Sequence, residues 1–112
     1  MPDQRFPRTA RLLNGPAFGR VFAARSTHQN RYFRFHHAPS AEPLARLGLA
    51  VSRRLARRAV DRNRLKRLVR ESFRHHRLDL PALDFVVIPR SSATRCDAHT
   101  VRQALDQLWQ RF

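Results

Sequence analysis

From Arg53 to Arg77 the chain holds eleven basic residues against two acids, Asp61 and Glu71, yet keeps the apolar period of a helix. Leu65, Leu68, Val69, Ser72 and Phe73 recur at i, i+3, i+4, i+7 and i+8, which predicts a helix over about Ala59 to His76 with one stripe turned to a core. On a helical wheel, Arg62, Asn63, Lys66, Arg67, Arg70 and Arg74 fill a continuous arc opposite or beside that stripe. Arg64 lies further round, near Glu71, and Glu71 is expected to reach back to Arg67 at i−4. Any fold for this chain must therefore bury the stripe and leave the arc outside. A solvated face normally mixes charge signs at i, i+4, and this one hardly does. Arg62, Lys66 and Arg70 follow one another at i+4 and repel, so something outside the protein must compensate. A row of phosphates does so through counterion release and bidentate guanidinium contacts.

The rest of the composition agrees. The chain has 112 residues, the size of one domain by the usual range of roughly 100–200 residues. Lys+Arg is 23 and Asp+Glu is 8, a net charge of +15, with Lys66 the only lysine. A hydrophobic content of 42% supports a core and argues against a disordered basic tail. The sequence offers no run of about 18 apolar residues for a membrane span. Met1 to Arg11 lacks the apolar stretch of a signal peptide, and Pro2 and Pro7 interrupt the amphipathic helix of a transit peptide. Cys96 stands alone, so neither a disulfide framework nor a cysteine zinc site is expected, and a cytoplasmic location is.

Along the chain, residues 1–13 read as a basic extended arm and 14–112 as one α+β domain. Asn14-Gly15-Pro16 opens a short helix with Phe18, Val21 and Phe22 on one face, ending near Ala24. Residues 25–30 are polar and loop-like. Tyr32 to His37 alternates, with Phe33 and Phe35 on one face and Tyr32, Arg34 and His36 on the other. Arg46 to Ser52 alternates as well: Leu47, Leu49 and Val51 against Gly48, Ala50 and Ser52. An antiparallel pair of these two strands would bury one apolar face and leave the other open, shallow and partly aromatic. After the basic helix, Asp84 to Pro89 reads as a buried strand. Ser91 to Asp97 reads as a loop, and Asp97 or Thr100 caps a last helix with Val101, Ala104, Leu105, Leu108 and Trp109 inward. The expected order is α-β-β-α-β-α, one sheet with helices on one side and a βαβ crossover with parallel strands.

The basic helix has no second short helix before it and no zinc ligands, so backbone and shape recognition of folded RNA fits better than major-groove readout. Tyr32, Phe18 and Phe22 are candidates to stack on unpaired bases, with core packing as the ordinary alternative for the two phenylalanines. A ribosomal or assembly protein and a DNA-binding module share this composition. A histidine nuclease built from His36, His37, His75, His76 and Lys66 is a third chemistry. Asp61, Glu71, Asp79 and Asp84 are too scattered for a two-metal site.

Arg62-Asn63-Arg64-Leu65-Lys66-Arg67, followed by Arg70-Glu71-Ser72-Phe73-Arg74, resembles the RNR signature of the bacterial ribonuclease P protein family. The likeness extends over nearly the whole chain, through Phe18-x-x-Val21-Phe22, Arg46 to Arg54, Leu80-Pro81, Asp84 to Ile88, and Leu105 with Leu108-Trp109. The resemblance implies a small basic subunit that assists a catalytic RNA in removing the 5′ leader of precursor tRNA. It implies Mg2+ held with the RNA subunit, no cofactor bound by the protein alone, no obligate protein partner and no membrane. It also implies broader substrate recognition, a lower divalent-metal requirement and a left-handed crossover. Carried over by motif, Arg53, Arg54, Arg57, Arg58, Arg62, Asn63, Arg64, Lys66, Arg67, Arg70 and Arg74 would contact RNA. Phe18, Phe22, Tyr32, Arg34 and His36 would line the leader cleft, and no residue of the protein would be catalytic. Two positions depart from the family pattern: Arg54 to Arg58 lacks the frequent glycine, and His36 stands where an aromatic residue is frequent.

Overall fold

The computed structural model describes residue 11 and residues 15–112. The basic arm, apart from Arg11, and the Asn14 cap lie outside the described residues. Helix α1 (Gly15–Ala23) leads into strands β1 (Ser26–Gln29), β2 (Phe33–Pro39) and β3 (Arg46–Leu49). Helix α2 (Ala59–His76), strand β4 (Leu83–Pro89) and helix α3 (Ala98–Trp109) follow. The strand order is β1-β2-β4-β3. β2 runs antiparallel to both β1 and β4, and β3 runs parallel to β4 through the α2 crossover.

Three expectations about the sheet and the helices packed on it change. Residues 25–30 are not all loop: Ser26–Gln29 forms β1, an edge strand whose polar residues carry no apolar alternation to reveal it. Arg25 turns the chain out of α1 in the left-handed region, at φ 55°. The strands of Phe33 and Leu47 are not neighbours, because β4 lies between them. Residues 84–87 of β4 are all buried, and a run buried on both faces belongs at the sheet centre. The helices also do not share one side. α2 and α3 cover the face that carries Phe33, Phe35, Leu47, Phe85 and Val87. α1 lies on the other face, with Val21 against Ala38 and Val86. Small side chains on that face leave room for it.

The predicted stripe of α2 is buried as a set. Its one polar member is explained by its partner: the Trp109 indole Nε1–H donates to Ser72 Oγ at 2.9 Å inside the core. Trp109 also packs on Phe35 and Phe85, with ring centroids 4.3 and 5.3 Å apart. Asp97 caps α3 by accepting from the Thr100 amide at 2.8 Å. Ser91–Arg95 forms a 3-10 turn rather than an open loop. Glu71 faces Arg102 of α3 at 3.9 Å instead of Arg67, because the α3 side of the helix supplies a cation that solvent does not. Among the described residues, no helix is long and apolar enough to cross a membrane.

Asp84, the first buried residue of β4, is 0% exposed. Arg46 of β3 grips it with two bonds, Nε to Oδ1 at 2.8 Å and Nη2 to Oδ2 at 2.7 Å. Arg20 of α1 joins Oδ2 and also donates to the Pro39 carbonyl at 2.9 Å. Burial opposes ionisation of this carboxyl. The hydrogen bonds from Arg46 and Ser40 and the charges of Arg46 and Arg20 outweigh it, so its pKa lies below the ordinary 3.8. The stabilisation is therefore complete above 3.8 and is lost as pH falls through the lower folded value. Asp84→Asn strands Arg46 beside a neutral amide and is expected to cost about 3–5 kcal/mol at neutral pH. Urea denaturation checks it, and the variant's acid-side fall in stability should be shallower than that of the parent chain.

Candidate nucleic-acid interface

The outward side of α2 is built as the period requires. Asn63, Arg67 and Arg70 are exposed, and Lys66 and Arg74 are half-buried along its flanks. The four arginines of the preceding loop, Arg53, Arg54, Arg57 and Arg58, are all exposed. Among the described residues, none of these arginines nor Lys66 has a carboxylate within ion-pair distance. The N-terminus of α2 has no side-chain cap, so its free amides add to the same positive field. Arg74 Nε is buried without an acceptor.

Arg62 and Arg64 differ from the rest. Arg62 Nη1 donates to the carbonyls of Ala56 and Arg57 at 2.9 and 2.8 Å. Arg64 Nη2 donates to the Cys96 carbonyl at 2.7 Å, just before the α3 cap.

The second surface lies where α1 crosses the sheet. Phe18 is half-buried against the Val21, Ala38 and Val86 cluster. Phe22 is 38% exposed and stands edge-on to His36, with centroids 4.8 Å apart. Arg34 is exposed beside them, its Nε donating to Gln29 Oε1 at 3.0 Å. His36 has a buried Nδ1 without a partner. Burial, helped by the Arg34 charge, holds its pKa below the ordinary 6.5, so the ring is neutral at neutral pH. Tyr32 is not brought to this group. It precedes β2 in the bend organised by Asn30 and packs on the main core, with the Arg31 guanidinium 5.7 Å from its ring centre.

A groove of about 560 Å³ lies beside the basic helix, lined by Ala50, Val51, Ser52, Leu55, Lys66 and Ile88 among others. Ala50 and Ile88 also pack on the α1 cluster, and Lys66 belongs to α2, so the groove has the basic helix on one side and the apolar cluster under α1 on the other.

Sequence reasoning missed a further basic cluster at the β1–β2 turn. Arg90 and Arg111 reach the carbonyls of Asn30 and Gln29 at 3.3 and 3.2 Å, beside Arg31 and Arg34. These arginines are up to 82 residues from their acceptors, so no local pattern signals the cluster.

The histidines do not converge. His36 lies on the α1 face. His37 points to the opposite face, stacked on His28 at 5.4 Å. His76 pairs with Asp106 at 3.0 Å, and His75 is exposed beyond it. Among the described residues, no group of three or more His, Cys, Asp or Glu is placed to hold a metal ion.

A family profile described as Ribonuclease P matches residues 6–112. The chain is 42% identical over 110 residues to the ribonuclease P protein component of Thioalkalivibrio sulfidiphilus, covering 98% of this chain and 92% of that one. It is 44% identical over 108 residues to that of Halorhodospira halophila, covering 96% and 88%. Among solved structures it resembles the Staphylococcus aureus RNase P protein, with a TM-score of 0.86, 28% identity, and 91% and 94% of the two chains covered. It also resembles the Thermotoga maritima RNase P protein, with a TM-score of 0.76, 37% identity, and 85% and 90% covered.

The Phe22–His36 contact makes a prediction about the cleft. Phe22→Ala opens the ring to water and is expected to move the His36 pKa upward toward 6.5. An NMR titration of the His36 Cε1 proton in the two proteins measures it.

Proposed function

Since the chain belongs to the ribonuclease P protein family, it is a subunit of the ribonucleoprotein that cleaves tRNA precursors, and we propose that its two surfaces divide the RNA between them. The outer side of α2 and the Arg53–Arg58 loop bind the catalytic RNA, through Arg53, Arg54, Arg57, Arg58, Asn63, Lys66, Arg67, Arg70 and Arg74. The cleft of Phe18, Phe22, Arg34 and His36 binds the single-stranded 5′ leader.

One observation carries this reading. A basic surface that has no carboxylate partner among the described residues flanks a groove whose far wall packs on the α1 cluster, beside an exposed aromatic edge. Phosphates bind the basic surface by neutralisation and counterion release. An unpaired base binds the aromatic edge by stacking on Phe22, while neutral His36 offers hydrogen bonds without a fixed charge.

The family's catalysis is RNA-based and commonly Mg2+-dependent. Among the described residues, no group of three or more His, Cys, Asp or Glu is placed to hold a metal ion, and the part assigned to the protein rests on its cations. Its contribution is electrostatic. Phosphates neutralised by arginine need less divalent cation to pack together, so the complex folds and holds substrate at lower Mg2+. The cleft adds affinity for precursor over mature tRNA, because only the precursor has a leader.

Cleavage of a precursor tRNA at low Mg2+ tests the assignment, with protein alone, catalytic RNA alone, and both. Activity only in the mixture is expected; cleavage by the protein alone would sink it. Two variants separate the surfaces. Arg67→Ala with Arg70→Ala should weaken binding to the catalytic RNA and flatten the log K against log salt slope by roughly 0.7–0.9 per charge removed. Phe22→Ala should leave that slope alone and narrow the precursor-to-mature affinity ratio by roughly tenfold, the loss of one base stack.

A further inference from the structure

The two arginines of Arg62-Asn63-Arg64 are two residues apart on α2, so they project about 200° apart around the helix axis. They cannot share a face. Arg62 leans toward the preceding loop and Arg64 toward α3, while Asn63 stands exposed between them. Each arginine reaches a different segment packed beside the helix. Arg62 takes the consecutive carbonyls of Ala56 and Arg57 with one nitrogen, and Arg64 takes the carbonyl of Cys96.

The loop that Arg62 grips has few other ties. Ser52 caps it, with Oγ accepting from the Leu55 amide at 3.1 Å and its carbonyl accepting from the Ala56 amide at 3.2 Å. Ala56 is buried beneath it, and Arg53, Arg54, Arg57 and Arg58 point outward around it. These four cations repel, and the loop has no glycine to set its turn. A bond from Arg62 to two carbonyls inside the loop therefore opposes the tendency of the arginines to push it open.

We propose that Arg62 is a positioning residue, which holds the Arg53–Arg58 loop in the shape that presents its arginines to RNA. The proposal rests on the reading of this loop as an RNA contact. It assigns Arg62 to the protein's own backbone carbonyls and leaves phosphate contact to the loop and to the outward residues of α2.

The test uses Arg62→Lys, which keeps the charge but lacks the fork. In the free protein, with no RNA present, hydrogen exchange at the Ala56 amide should speed up in Arg62→Lys while the core amides of Leu65 and Val69 stay protected. Unchanged protection at Ala56 overturns the proposal. Binding to the catalytic RNA is then measured for Arg62→Lys, for Arg57→Ala with Arg58→Ala, and for all three changes together. Alone, Arg62→Lys should weaken binding roughly tenfold, the scale of a charge-assisted bond lost to the loop. With Arg57 and Arg58 already removed, the same change should cost clearly less, because two of the four cations it positions are gone. An equal cost in both backgrounds makes Arg62 an independent phosphate contact and overturns the proposal, as does full rescue by lysine. If removing Arg57 and Arg58 leaves RNA binding unchanged, the loop is not an RNA contact, and the hydrogen-exchange arm still decides whether Arg62 holds it.

Discussion

Asp84 sits at the start of β4, out of contact with water, where Arg46 from β3 and Arg20 from α1 meet on its oxygens. Three consequences follow from that geometry. The Arg46 grip matches the parallel register of β3 on β4, in which Arg46 and Asp84 are partners across the ladder. The Arg20 contact fixes α1 over the sheet face that its few apolar residues alone would hold weakly. The same Arg20 ties α1 to the end of β2 through the Pro39 carbonyl. Phe22 meets His36 where α1 is held by this contact together with the packing of Val21 and Phe18, so a carboxylate outside the cleft helps to support it. A pair buried this way is costly to desolvate. Here the bidentate geometry and a second arginine offset that cost, and an overall charge of +15 makes a lone buried anion unusually easy to keep ionised.

The opposite problem governs α2. Its arginines repel one another, and its N-terminal half is basic where the helix dipole favours acids. The helix persists because Leu65, Leu68, Val69 and Phe73 are buried against the sheet and α3, each worth roughly 1.5–3 kcal/mol, whereas a like-charge i, i+4 pair costs only tenths. Packing thus supports an electrostatic arrangement that the helix would not choose in isolation. The basic residues of its last turn, Arg74, His75 and His76, are on the favourable end.

The residues differed in how much they revealed. The bounds of α2, its buried stripe, the Asp97 cap and the inward face of α3 were all legible, because each depends on neighbours three or four positions away. The parallel crossover was legible too, from the length of the connection. β1 was not, because a polar edge strand has no alternation to read. The place of β4 between β2 and β3 is a choice of edges, and alternation fixes faces but not edges. α1 was assigned face residues correctly without a sign of which sheet face would receive them. In the site, the exposed arc of α2 followed from period alone. The inward duties of Arg62 and Arg64 did not, because their acceptors are backbone carbonyls, which every residue has and no sequence marks. Tyr32 was grouped with Arg34 and His36 by parity, but parity fails once the strand begins at Phe33.

Those carbonyl contacts also give a reason for arginine over lysine. The chain has 23 basic residues and 8 acids, so most cations have no carboxylate to pair with. Among the described residues, six arginines donate to backbone carbonyls, five of them with no carboxylate partner and Arg20 in addition to its bond with Asp84. Arg20 donates to Pro39, Arg62 to Ala56 and Arg57, Arg64 to Cys96, Arg77 to Ala45, Arg90 to Asn30, and Arg111 to Gln29. Most of these acceptors lie at strand ends or in connecting loops, where carbonyls are left over from the ladders and helices. A guanidinium has five donors in a rigid plane, so one edge can satisfy a carbonyl while another remains free for an anion. A lysine ammonium is a compact, strongly hydrated point charge without that fork. In a small domain short of acids, arginine thus lets cations that have few carboxylates to pair with close the gaps between elements.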